Sequence, residues 1–218
     1  MPLPNGVDPT GTIHPVCPSA GWMGNRGLLH DREGRVVRDW RIRAWITCRP
    51  AYKNWSRKPL MQPGKYTELF FLDEATALSA GHRPCAMCRR ADYLSFKAHW
   101  LSANRFTSDM TAQQMDAKLH IERFNRGTTS EWRQSLQALP AGVFVIWDGV
   151  PHLWNGTRLF RWTDTGYVDS LHPEIFTVTV ELLTPPSVSK AIRHGYAVQL
   201  HPTTSIKTHT AGAYRPGR

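Results

Sequence analysis

LFFLDEATALSAGHRPCAMCR, residues 69–89, sets the architecture expected for the first half of this 218-residue chain. Its apolar opening, with Glu68 in front, predicts a short buried strand over residues 68–72. Asp73 is a helix N-cap residue, residues 74–80 suit a helix, and Gly81 stands where a left-handed stop belongs. The chain then turns through residues 84–88 and presents Cys85 and Cys88. Two thiols at C-x-x-C on a tight turn can share one tetrahedral ion, while the N–H groups of the turn stabilise the sulfur charge. The other common use of this spacing, a redox dithiol, opens a helix directly after a buried strand. Here a helix and a glycine come first.

Downstream, aromatic residues at helical spacing (Tyr93, Phe96, Trp100) predict a helix over residues 90–101. A linker covers 102–110. A second helix is expected over 111–125, stopped by Gly127, and a short third over 130–139, stopped by Pro140. Residues 142–147, 152–154 and 158–162 read as a β-meander, because Asp148-Gly149 and Asn155-Gly156 are hairpin turns. One more strand is expected over 176–183. Thr184 then caps a helix over 185–194, ended by Gly195, and the tail beyond Pro202 reads as polar and frayed.

Upstream, residues 1–25 are rich in Pro and Gly and read as an extended lead-in. Residues 26–58 hold a dense basic cluster. A turn at 31–34 joins candidate strands 28–30 and 35–40, and a further strand runs over 43–48 until Pro50 stops it. The expected fold is α+β. Its segments are a lead-in (1–25), a metal-binding module (26–101), a helical connector (102–140), a β-meander with a short helix (141–202) and a flexible tail (203–218).

The charge narrows the function classes. There are 27 Lys and Arg against 17 Asp and Glu, a net charge of +10, which favours polyanionic partners and nucleic acid first. With 41% hydrophobic and 20% charged residues, the composition is that of a folded protein. No apolar run approaches the ~20 residues of a membrane span, and the N-terminus lacks a basic region followed by an apolar one. A cytoplasmic, membrane-free protein is expected, in which the four cysteines are not paired as disulfides.

Glu74-Ala75, Ala77-Leu78-Ser79-Ala80-Gly81 and Arg83-Pro84-Cys85 with Cys88, preceded by Cys48-Arg49-Pro50 at a strand end, resemble the Ada-type zinc-binding domain of methylphosphotriester DNA repair proteins. The resemblance covers residues 35–100. It implies one zinc ion with Cys48, Cys85 and Cys88 as ligands, and at the Cys48 position a thiolate that accepts a methyl group from a DNA phosphate. The family has a further cysteine four residues later, where this chain has Tyr52. Phenol is a poor zinc ligand at neutral pH, so a fourth ligand must come from elsewhere, Cys17 or His30, with His82 as a supporting group. An imidazole in place of a thiolate leaves the site less negative and its sulfur less nucleophilic. The resemblance also implies a cationic face tracking DNA phosphates, to which Arg49, Lys53, Arg57, Lys58, Arg83, Arg89 and Arg90 are assigned.

Other chemistry is sparser. Asp116 and His120 share a helix face at i,i+4 spacing and are candidates for acid–base work, with Glu122 pointing away. Ser187-x-x-Lys190 has no second motif to support it, and His152, Trp154 and Trp162 on the meander suit either stacking or the core. Three function classes follow, in order of preference. The first is a zinc-stabilised DNA-binding protein of repair or damage recognition. The second is a DNA repair or modification enzyme, or a nuclease, working between the zinc module and the His120 helix. The third is a protein-interaction module built on the aromatic hairpins.

Overall fold

The computed structural model describes residues 3–15, 20–54, 58–172 and 178–205. In chain order its elements are β1 (Gly6–Val7), β2 (Ile13–His14), β3 (Trp22–Asn25), β4 (Ile46–Cys48), β5 (Leu69–Phe71), α1 (Glu74–Ser79), β6 (Arg83–Pro84), α2 (Arg90–Ala103) and α3 (Ala112–Phe124). There follow β7 (Arg133–Ser135), β8 (Val143–Trp147), β9 (Val150–Trp154), β10 (Leu159–Thr163), β11 (Gly166–Leu171), β12 (Thr179–Leu182) and α4 (Pro186–Arg193). The architecture is α+β, with two six-stranded sheets ordered β2-β1-β5-β3-β4-β6 and β11-β10-β9-β8-β12-β7.

The two sheets meet at α1. All six of its residues are buried, and being mostly small they let neighbours approach closely. Leu78 joins the cluster under α2, α3 and α4; Ala75 joins the one with Phe144, Leu153 and Tyr167; Ala77 packs with Leu29, Leu69 and Phe71 of the first sheet. Strand β8 shows why the second sheet holds its place. Val143 and Val145 face the helices while Phe144, on the opposite side, faces α1, so the strand is covered on both sides and its apolar run does not alternate with polar residues.

The ends of α1 are fixed as the sequence predicts. Asp73 Oδ1 accepts the Thr76 N–H at 2.8 Å, and Gly81 takes φ +87° beyond the last turn. Asp73 has a second duty: its other oxygen accepts the Tyr167 hydroxyl at 2.8 Å and the His201 N–H at 3.0 Å.

Several expectations are corrected. Residues 130–139 are not a helix but a 3-10 turn, strand β7 and a second 3-10 turn, because β7 finds its backbone partners on β12 (Gln134 opposite Val180) and ladder bonds override a weak local preference. Thr184 does not cap α4. Its hydroxyl accepts the Phe144 N–H at 2.9 Å, and Pro185 and Pro186 begin the helix instead. The hairpin at 28–40 narrows to a single bridge between His30 and Val36. The stretch read as a lead-in supplies β1, β2 and β3, with β3 inside the sheet between β5 and β4. Cys17, Arg57 and the tail beyond residue 205 lie outside the described residues. No helix among the described residues is long and apolar enough to cross a membrane.

Candidate metal centre

Cys48 ends β4. Strand β6 runs parallel to it, with Thr47 opposite Pro84, and the Cys85 N–H donates to the Thr47 carbonyl at 2.9 Å. This pairing sets the Cys85–Cys88 turn beside the end of β4, and the three Sγ atoms lie within 4.8 Å of one another. Thiolates bound 2.3 Å from a tetrahedral ion stand about 3.8 Å apart, so small adjustments close the site on a metal. All three cysteines are buried and Met23 is buried with them; Ile46, Tyr52 and Phe70 pack around the group.

The surroundings favour negative charge on one of the three sulfurs, Cys85. The Met87 N–H donates to Cys85 Sγ at 3.4 Å, and the Arg49 N–H supports Cys88. The hydrogen bond from Cys48 draws Cys85 down to about 5, aided by the Cys88 and Met87 N–H groups and opposed by burial. That same bond, then burial, pushes Cys48 up, and burial pushes Cys88 up. A short strand precedes the C-x-x-C and a helix follows it, closer to the redox pattern than the sequence implied. With the third thiol within reach, the group could hold a metal ion.

The fourth ligand is not His30. Its Nδ1 lies 2.7 Å from Thr67 Oγ1 and its Nε2 3.3 Å from the Gln62 carbonyl, and no fourth His, Cys, Asp or Glu joins the three thiols among the described residues. His82 is not a supporting group either. Buried between Phe71 and Trp45, it accepts from Arg26 Nε at 2.9 Å and lies 3.1 Å from the Ile46 carbonyl through Nδ1.

Two of the seven assigned cations are withdrawn from the proposed DNA face. Arg83 is buried and forks onto Asp116, both bonds 2.7 Å, beside Tyr93. Arg89 is 1% exposed; it donates to Glu74 at 2.6 Å, Asp92 at 2.9 Å and Thr47 Oγ1 at 2.9 Å, and it lies over Trp22. Arg49, Lys53, Lys58 and Arg90 are exposed.

The acid–base pair fails for the same reason. Both oxygens of Asp116 are spent on Arg83, and His120 instead packs edge-on against Trp40 and Phe124, where partial burial and then the Arg123 and Arg43 charges lower its pKa. Glu122 accepts the Ser187 N–H and hydroxyl, and Lys190 pairs with Glu131, so Ser187 and Lys190 are not a catalytic couple. His152 and Trp154 are buried in the second sheet, and Trp162 is half-buried. The sequence places Arg123 on one helix face with Asp116 and His120 but gives neither it nor Arg126 a role. Of residues 38–45, Asp39, Trp40 and Trp45 line the surface they share. No family model, curated protein or solved structure matches the chain.

Proposed function

We propose that Cys48, Cys85 and Cys88 hold one structural zinc ion and that the protein binds nucleic acid through the exposed cations at its rim. The observation that carries this reading is three buried thiols within 4.8 Å of one another, joined through short chain segments to Arg49, Lys53, Lys58 and Arg90. A soft, all-sulfur donor set supported by N–H groups suits zinc, which would neutralise the thiolates and tie β4 to the turn before α2. The Ada-type resemblance and the net charge of +10 point the same way, toward DNA. Cys48 is only 5% exposed, and this argues for a ligand rather than a methyl acceptor.

Metal analysis of protein purified without chelator should give one zinc per chain. Cys85→Ser should lose the metal and several kcal/mol of stability, since structural zinc binding is folding free energy. Duplex DNA should bind with a slope of log K against log salt near −3.6, taking about four phosphates at ~0.9 each. Replacing Arg49, Lys53, Lys58 and Arg90 together by Gln should abolish that slope. Stoichiometric absence of zinc defeats the first half of the reading, and an unchanged slope defeats the second.

A further inference from the structure

A cavity of about 790 Å³ lies between the first sheet and the C-terminal end of α3, away from the thiols. Its lining includes four guanidinium groups, those of Arg26, Arg35, Arg123 and Arg126, and one carboxylate, the exposed Asp39. Arg35 is already paired with Asp31 and Glu33. The other three form no ion pair among the described residues. Their hydrogen bonds go to neutral groups. Arg26 donates to His82 and the Gly11 carbonyl, Arg123 to the carbonyls of Gly81 and Arg43, and Arg126 to those of Thr10 and Ser79.

Arg26 is 1% exposed, yet its Nη2 has no partner; neither have Arg123 Nη2 and Trp45 Nε1. Arg26, Trp45 and Arg123 all line the cavity, and the unpartnered atom of each is a buried donor, so what completes them is an acceptor. The guanidinium groups of Arg26 and Arg123 lie 4.0 and 4.6 Å from the Trp45 ring centre, which holds them in place. Burial and then the Arg123 charge pull Arg26 down to about 9, and burial brings Arg123 to about 9 as well, so both remain cationic at neutral pH. A buried cation without a direct ion-pair partner is costly; among the described residues Asp8, Asp39 and Asp116 act on these three arginines only at longer range.

Guanidinium forks match phosphate geometry, and three of them suit a dianion better than a single carboxylate. The volume exceeds what a bare phosphate needs and falls in the range of small-molecule sites. At the rim, Trp40 is 37% exposed, with His120 and Phe124 against it, and offers an aromatic surface for a flat ring. From these features we infer that the cavity binds a nucleotide, its phosphate among Arg26, Arg123 and Arg126 and its base against Trp40. The nucleotide arrives either free or as the phosphorylated end of a strand.

Calorimetry and tryptophan fluorescence on the full chain test this, with adenosine 5′-monophosphate, inorganic phosphate, adenosine, citrate and a 5′-phosphorylated tetranucleotide as probes. The monophosphate should bind one per chain, more tightly than phosphate or citrate, and adenosine should not bind. Trp40→Ala, at an exposed position, should weaken the monophosphate roughly tenfold and leave phosphate unchanged. Arg123→Met should weaken both. The tetranucleotide binding more tightly than the monophosphate assigns the site to strand ends, and the reverse assigns it to free nucleotides. Citrate or adenosine binding as tightly as the monophosphate overturns the inference, as does an affinity indifferent to Trp40→Ala. Protein with Arg49, Lys53, Lys58 and Arg90 replaced should keep full monophosphate affinity, which separates this site from the proposed DNA surface.

Discussion

Two sets of arginines, Arg83 with Arg89 (both buried) and Arg26 (buried) with Arg123 and Arg126 (half-buried), are treated differently. Arg83 and Arg89 each meet carboxylates supplied by the chain, Asp116 for one and Glu74 with Asp92 for the other. Glu74 is itself completed by the Tyr196 hydroxyl at 2.6 Å and the Gln199 N–H at 3.0 Å. Arg26, Arg123 and Arg126 hydrogen-bond to carbonyls and a histidine, lie against tryptophan rings, and make no direct ion pair among the described residues. Where a fold needs a buried cation for its own cohesion, it provides the counter-charge. Where no carboxylate of the chain pairs directly with the cations, the proposed nucleotide phosphate would do so.

The contrast can be broken most forcefully at the paired arginines. Arg89→Met or Arg83→Met strands a buried carboxylate, and urea unfolding of zinc-loaded protein should show a loss of about 3–5 kcal/mol for each. A loss under 1 kcal/mol would mean the pairs are expendable.

The next effect is in pH. His82 accepts from Arg26, so its ring is neutral; burial, then the Arg26 charge, hold its pKa well below the ordinary histidine value. Below about pH 6.5 the unfolded chain takes up a proton there that the folded chain refuses, so stability falls as pH falls, by up to ~1.4 kcal/mol per unit. His82→Gln should flatten the slope between pH 7 and 5 by one proton, and identical slopes would place the titration elsewhere.

At the cavity the effects shrink. Arg123→Met leaves no carboxylate behind, and the two lost carbonyl bonds, ~1 kcal/mol each, are offset by relieved repulsion, so its unfolding free energy should lie within about 2 kcal/mol of the parent. Asp39→Asn, at an exposed position, should shift stability by less than ~0.5 kcal/mol while tightening monophosphate binding.

What the sequence disclosed was whatever its neighbours in sequence decide. The strand before Asp73, the cap and the Gly81 stop are set locally and stand in the structure as read, while the thiol turn is preceded by strand β6, which the sequence did not show. The hairpins at Asp148-Gly149 and Asn155-Gly156 are equally local. What stayed hidden depends on distant partners. Strand β7 exists because β12 lies some 45 residues further on, and Arg83 belongs to Asp116, 33 residues away. Counting charges could not separate a surface arginine from a buried one, because the carboxylate that decides the matter is on another element. His30 looked free to ligate until Thr67 and Gln62 were brought beside it.

The two sheets also differ in how far the chain must travel to close them. Strands β8 to β11 join successive neighbours through short turns, so their pairing needs only small loops. The first sheet is closed by β1 with β5, Gly6 opposite Phe70, and by β4 with β6, Ile46 opposite Arg83, both parallel and both spanning long stretches of chain. Long loops carry a larger closure entropy and slow the search. Closure entropy therefore favours the meander over the β4–β6 pairing on which the three thiols depend. A metal ion held by the three thiols would tie together strands that are far apart in sequence.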